Sequence, residues 1–355
     1  MKDREEFPSP VVGRGAVGNP KNRFDKIEVE PDLDELDQER PETVYLKDAS
    51  RSIVTRNSSP DVGFDASINP YRGCEHGCAY CYARPTHEYL GFSAGLDFES
   101  RILVKEDAPE LLREHISSPR WHPQVLSLSG VTDPYQPVEE KLTLTRRCLE
   151  VLAEFRNPVA VITKNHLVTR DVDLLSQLAR HNAASVAISL TTLDDELRRF
   201  MEPRTSRPVR RLAAIAALSQ AGIPVGVMTA PVIPGLNDHE LPALISAAAE
   251  AGAGFAAYTL VRLPYAVRPL FEDWLSRHYP ERKKKVLSHI RTIRGEKLND
   301  SRFGSRMRGE GIFAEHIAQL FSLSCRRAGI GGGRFPALST TAFRGPGELQ
   351  LSLFD

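Results

Sequence analysis

What this sequence lacks narrows its class first. No apolar run approaches the ~20 residues that a membrane-spanning helix needs. The opening Met1-Lys2-Asp3-Arg4-Glu5-Glu6 has no apolar core of a secretory signal, so a cytoplasmic location is expected, with no membrane partner. Cysteines number only five, too few and too clustered for a disulfide framework, which suits a reducing compartment. Neither sign of charge is in excess: 46 Lys and Arg balance 46 Asp and Glu, so net charge argues neither for nor against nucleic acid. With 41% hydrophobic residues, the 355-residue chain can bury one large domain with appendages, or two domains.

Three of the five cysteines stand together in Cys74-Glu75-His76-Gly77-Cys78-Ala79-Tyr80-Cys81, with no fourth nearby. A structural zinc site or a closed iron–sulfur cluster takes four protein ligands. Three thiolates on one loop leave one iron of a [4Fe–4S] cube open to a small molecule. The loop could instead hold zinc with His76 or His87, or carry three unrelated thiols. Its three-two spacing, with an aromatic before the last cysteine, resembles the CxxxCxφC signature of radical S-adenosylmethionine (SAM) enzymes. In that family the open iron chelates the methionine amine and carboxylate, and one electron cleaves a C–S bond to give a 5′-deoxyadenosyl radical.

Residues 1–57 are polar and rich in Pro, Gly and charge, and read as a flexible N-terminal arm with little structure of its own. From Gly63 onward, apolar runs of strand length alternate with amphipathic stretches. The runs are Phe64–Ile68, Val125–Leu128, Val159–Ile162, Ser185–Leu190, Pro224–Met228 and Phe255–Leu260. Helices are expected over Ala108–Ile116, Leu142–Phe155, Asp171–His181, Val209–Ala221 and Glu240–Ala251. Such alternation gives an α/β fold with a parallel sheet. Six units suit the partial (β/α)6 barrel that the resembled family has, with core residues 58–262. A doubly wound sheet stays open as the alternative, because periodicity does not establish closure. A helical C-terminal extension follows at 263–328, with helices at Arg268–His278, Glu281–Arg294 and Ile312–Ser324. Residues 329–355 begin with Gly-rich Gly329–Arg334, read as a turn or linker, and lead to a flexible tail. Arg277–Arg308 carries eleven basic residues against Glu281, Glu296 and Asp300, either a track for phosphates or a solvated helix face.

Ligands of parallel α/β folds sit at the carboxyl ends of strands. There this sequence places Asn69–Gly73 and the cysteine loop, Ser129–Pro137, Thr163-Lys164-Asn165, Ser189-Leu190-Thr191 and Thr229–Asp238. Asn69–Arg84, the Thr132–Pro137 segment and Thr163–Asn165 resemble the spore photoproduct lyase-like (DNA repair photolyase-type) branch of the radical SAM superfamily. The resemblance implies cluster ligation by Cys74, Cys78 and Cys81, with Tyr80 beside the cofactor. It implies contact with the methionine end by Ser129, Gly130, Thr132 and Asp133, with the carboxylate by Lys164, and with the ribose by Ser189. Ile233, in Pro231–Gly235, matches a segment that packs against adenine, with proline replacing its first glycine. Tyr82 matches a tyrosine of the lyase's radical relay, or else packs against the loop. Arg72 and Arg84 flank the loop, where they could offset cluster charge, bind the sulfonium-nucleoside carboxylate or bind backbone carbonyls. The lyase's hydrogen-donating cysteine has no counterpart in Gly130-Val131-Thr132-Asp133, and Cys148 reads as a core residue.

The chain ends Gln350-Leu351-Ser352-Leu353-Phe354-Asp355, an apolar peptide that resembles the motif by which bacterial repair proteins dock on the sliding clamp, through Gln350, Leu351, Leu353 and Phe354. The tail could also fold back on the barrel. The reading is therefore a radical SAM enzyme with a [4Fe–4S] cluster and S-adenosyl-L-methionine, served by an electron donor such as flavodoxin or ferredoxin and acting on DNA or a DNA lesion. An enzyme of RNA, peptide or small-molecule modification is the alternative, and a non-catalytic metal-binding clamp adaptor the third.

Overall fold

The computed structural model describes residues 13–25, 42–333 and 335–346. Eleven strands occur among them: β1 (Val44–Lys47), β2 (Val54–Arg56), β3 (Ala66–Ile68), β4 (Tyr71–Arg72), β5 (Arg101–Val104), β6 (Leu126–Leu128), β7 (Val159–Thr163), β8 (Ala184–Ser189), β9 (Val225–Val232), β10 (Phe255–Leu260) and β11 (Gly331–Gly332). The main sheet runs β11-β10-β9-β8-β7-β6-β3-β2. From β3 to β10 every neighbour is parallel and is the next apolar run in sequence.

That order decides between the two expected architectures. A doubly wound sheet needs a point where strand order reverses. Here the order never reverses, so right-handed crossovers set the intervening helices on one face, as in a barrel. The series keeps two edges, antiparallel β2 and the two-residue β11, and the barrel is open. β8 is buried at all six positions, as a central parallel strand covered on both faces should be.

Three local expectations change. The helix expected over Leu142–Phe155 is two, Glu139–Leu142 and Leu144–Phe155. Thr143 adopts φ +53° between them, and the Glu139 carboxylate accepts the N–H of Thr145 at 3.0 Å. The arm carries more structure than its composition suggests. β1 pairs with β5 and β2 pairs with β3. Asp48 fastens it further, donating its N–H to Val104 and pairing with Arg72 at 2.8 Å. The Gly-rich stretch is part turn and part strand: Gly329 caps the preceding helix at φ +68°, and Gly331–Gly332, as β11, lies along β10. Beyond it, the N–H of Arg344 donates to the Phe155 carbonyl at 2.8 Å and Phe343 stacks on Phe155. Among the described residues no helix is long and apolar enough to cross a membrane. Gln350, Leu351, Leu353 and Phe354 lie outside the described residues.

Candidate active site

The cysteine loop leaves β4 and is braced from three sides. Arg84, fully buried, donates twice to the Cys78 carbonyl, at 3.1 and 2.9 Å, and to the carbonyls of Ala94 and Gly95. It also pairs with buried Glu99. Of the roles expected for Arg84, carbonyl binding is the one the structure displays. Arg72 is turned to the arm, on Asp48 and Ser50. Glu99 in turn accepts the N–H groups of Gly15 and Ala16 at 3.0 and 2.9 Å, so the arm is latched to the loop. The approach is close: a Cβ on Gly15 would lie 1.7 Å from the Gly77 carbonyl oxygen.

The third brace is the Thr132–Pro137 segment. Thr132 donates to the Tyr71 carbonyl at 2.9 Å, and the Gln136 amide spans Glu75 N and Gly73 O. Asp133 is fully engaged by protein. Oδ1 accepts from the Thr163 hydroxyl at 2.7 Å and from Tyr135 N–H; Oδ2 accepts Lys164 N–H at 2.8 Å and faces His76 Nδ1 at 3.3 Å. Burial alone would raise its pKa, but His76, Thr163 and Lys164 N–H hold it below the usual range. Asp133 therefore locks β7 to the cysteine loop, and its polar capacity is spent there.

Lys164 and Ser189, expected to face the cofactor together, do meet. Lys164 Nζ lies 2.7 Å from Ser189 Oγ, 3.2 Å from the Ala230 carbonyl and 3.1 Å from Glu202 Oε1. Sequence reasoning missed Glu202. Wholly buried, it also accepts from the Tyr80 and Thr191 hydroxyls and from Arg211, whose Nη1 reaches the Ser189 carbonyl at 2.9 Å. Burial pushes the Glu202 carboxyl up, yet Arg211 and Lys164 outweigh it and hold it well below the carboxylate range. One signal was legible: Glu202 closes the short helix Asp195–Met201, where a negative charge opposes the helix dipole and so needs another partner.

Gly130, Val131 and Thr132 point their N–H groups at Asn69 Oδ1, 3.0–3.3 Å away. Ser129 holds φ +113°, and a Cβ on Gly130 would meet Ser67 Oγ at 2.6 Å. Tyr82 is half exposed at this rim, with its hydroxyl 3.3 Å from the Gly130 carbonyl. Ile233 is buried in one hydrophobic cluster with Cys78, Ala79 and Tyr80. The structure thus gathers all the expected site residues along the carboxyl ends of β3, β6, β7, β8 and β9.

The donor set fits an iron–sulfur cube. All five cysteines are free thiols; Cys148 and Cys325 lie in the core, leaving three at the rim. Burial pushes each of the three upward, and Cys74 also feels Asp133 and the other two thiols. Buried thiols of this kind ionise when a metal supplies the positive charge. Glu75 is taken by Arg204 and by Val138 N–H, and His87 Nε2 sits 3.0 Å from the Arg101 carbonyl. Among the described residues no three His, Cys, Asp or Glu side chains are grouped as one metal ion would require. A cube, in which each of three irons takes one thiolate, does not need that grouping.

The model of the radical SAM superfamily matches residues 68–248. An uncharacterized protein of Mycobacterium tuberculosis (strain ATCC 25618 / H37Rv) is 40% identical over 240 residues, 67% of this chain and 70% of that protein. A protein of Pseudomonas phage M6 named as a radical SAM Nalpha-GlyT isomerase is 27% identical over 218 residues, 61% of this chain and 43% of its own. Among solved structures, spore photoproduct lyase complexed with dinucleoside spore photoproduct superposes with a TM-score of 0.60 at 17% identity, covering 81% of this chain and 80% of that one. At that identity the likeness is one of fold.

Proposed function

The chain belongs to the radical SAM superfamily, and from that premise we propose that this radical SAM enzyme acts on DNA or a DNA lesion. When bound, the [4Fe–4S] cluster and S-adenosylmethionine supply reductive one-electron cleavage and hydrogen-atom abstraction. The protein's own residues set the stage. Cys74, Cys78 and Cys81 would ligate the cluster, with Arg84 and Glu99 fixing the loop that carries them. Lys164 would take the methionine carboxylate and Ser189 the ribose, both held in place by Glu202 and Arg211. Ser129, Gly130 and Thr132 shape the methionine end, and Ile233 with Tyr80 packs the apolar side.

The observation that carries the substrate reading is the position of Tyr82. It follows the third cluster cysteine directly and is 51% exposed, so a side chain beside the cluster loop is within reach of solvent. An exposed side chain there suits a macromolecule better than a small metabolite. The dinucleoside spore photoproduct bound to the lyase of like fold lends support to a nucleic-acid substrate. Without a donor cysteine after β6, hydrogen return would fall to another group, and Tyr82 is the side chain at hand. A peptide docking on the sliding clamp, through residues 350–354, would bring the enzyme to DNA.

Anaerobic reconstitution followed by dithionite should yield 5′-deoxyadenosine, increased by irradiated DNA. Loss of iron in Cys74→Ala, Cys78→Ala or Cys81→Ala, with retention in Cys148→Ala, is expected. Deoxyadenosine formation that no nucleic acid alters would reject the DNA reading and leave the family chemistry standing.

A further inference from the structure

Large aromatic rings are exposed at one rim of this molecule, from segments far apart in sequence. Phe24 is 52% exposed, Tyr89 70% and Tyr265 69%. They are neighbours: the Phe24 and Tyr89 rings lie 4.9 Å apart, and the Arg23 guanidinium stands 4.7, 5.2 and 4.0 Å from the rings of Phe24, Tyr89 and Tyr265. An aromatic knot that merely fastened the arm would bury its rings. These keep most of their surface in water, at a cost in apolar exposure.

The place of the knot ties it to the site. Tyr265 follows β10 by five residues. On the same segment Arg262 stacks over Tyr82, 5.4 Å from the ring centre and next to Cys81. Arg262 is half buried, and its Nε has no hydrogen-bond partner. Beyond it Phe303, 60% exposed, carries the Arg306 guanidinium at 4.6 Å. Tyr265 itself holds φ +48°, a conformation that costs a bulky residue energy and tends to persist where function requires it.

Resting on the nucleic-acid reading above, we propose that Phe24, Tyr89 and Tyr265, with Arg23 and Arg262, form a stacking platform for the unpaired bases of single-stranded or locally opened nucleic acid. Rings with guanidinium groups against them are the surface that such strands use, because bases stack on the rings whatever the sequence; Arg23, paired with buried Glu88 at 3.3 Å, is held in place beside them. A duplex hides its base faces and gains nothing from the rings. The inference therefore specifies the substrate as one whose target base is already unpaired, or is drawn out of the helix.

The experiment is fluorescence anisotropy of a labelled mixed-sequence oligonucleotide of about 16 nucleotides, as single strand and as duplex, with the full-length reconstituted protein. The wild type should bind the single strand more tightly. Tyr265→Ala should weaken that binding by about tenfold, and Tyr89→Ala with Tyr265→Ala further, as loss of base stacking does. Tyr265→Phe, which keeps the ring, should restore affinity, and iron content should not change in any of these variants. Equal single-strand affinity in wild type and ring-deleted variants would overturn the platform while leaving a nucleic-acid substrate intact. Preference for duplex would also overturn it, as would equal losses with an acidic peptide. A wild type that binds neither oligonucleotide would remove the DNA reading together with the platform.

Discussion

At the scale of the residue, Lys164 is the side chain whose meaning the structure changed most. Its three ammonium protons already have acceptors in Ser189, Ala230 and Glu202, so a cofactor carboxylate binding there would have to exchange with one of them. Lys164→Ala should weaken S-adenosylmethionine binding by about 1.5–3 kcal/mol, the range of a charge-assisted bond, with iron content unchanged. Equilibrium binding to the reconstituted variant measures it, and undiminished affinity would mean that Lys164 serves only to neutralise Glu202. His87 supplies a second prediction. Burial pushes its pKa from 6.5 down to about 4, with Nδ1 unpartnered. A lowered folded pKa means that the unfolded chain binds the extra proton first. Its contribution is whole above pH ~6.5 and is lost as pH falls toward 4, by at most about 3 kcal/mol. The stability of His87→Gln should therefore fall less steeply over that window in paired denaturation curves; parallel slopes would count against it.

At the scale of the element, the arm is the unit to probe. Its described residues bind through backbone N–H groups to Glu99, a contact that no hydrophobic pattern encodes. Gly15→Ala places a methyl 1.7 Å from the Gly77 carbonyl, so the arm or the cysteine loop must move. The expected result is reduced iron per chain after reconstitution. Gly18→Ala, with nothing within 4 Å of its added Cβ, should behave as wild type. Full iron loading in both would show that the arm only rests on the loop. The elements of the barrel were largely legible from periodicity, and their ends were not. β9 extends to Val232, through Pro231 that read as loop, and Thr143 breaks a helix whose hydrophobic pattern runs on unbroken.

At the scale of the whole molecule, the two ends of the barrel carry different groups. The candidate cofactor residues lie at the carboxyl rim, whereas residues 339–344 are tied to Asn182 and Phe155, just before β8 and β7 at the opposite end. A peptide of residues 348–355 should bind purified sliding clamp at about micromolar strength, as short linear motifs do. Leu353→Ala with Phe354→Ala in the full chain should abolish clamp binding while deoxyadenosine formation continues. Clamp binding that survives the double change would remove the peptide from consideration.

The sequence by itself determined the alternation of the six barrel strands with helices, the three-thiol loop and the polar segments at strand ends. These signals are local: a repeat of two or of 3.6, or a spacing of three and two, is complete within one window. The tertiary structure alone decided that Glu202 would hold Lys164, Tyr80 and Arg211, that Glu99 would latch the arm, and that Phe24, Tyr89 and Tyr265 would gather around Arg23. Each of these joins residues from segments far apart in sequence, whose mutual placement is fixed only once the sheet has set its twist and order. A single buried carboxylate or exposed ring carries no periodicity, so nothing in its own neighbourhood announces its partner.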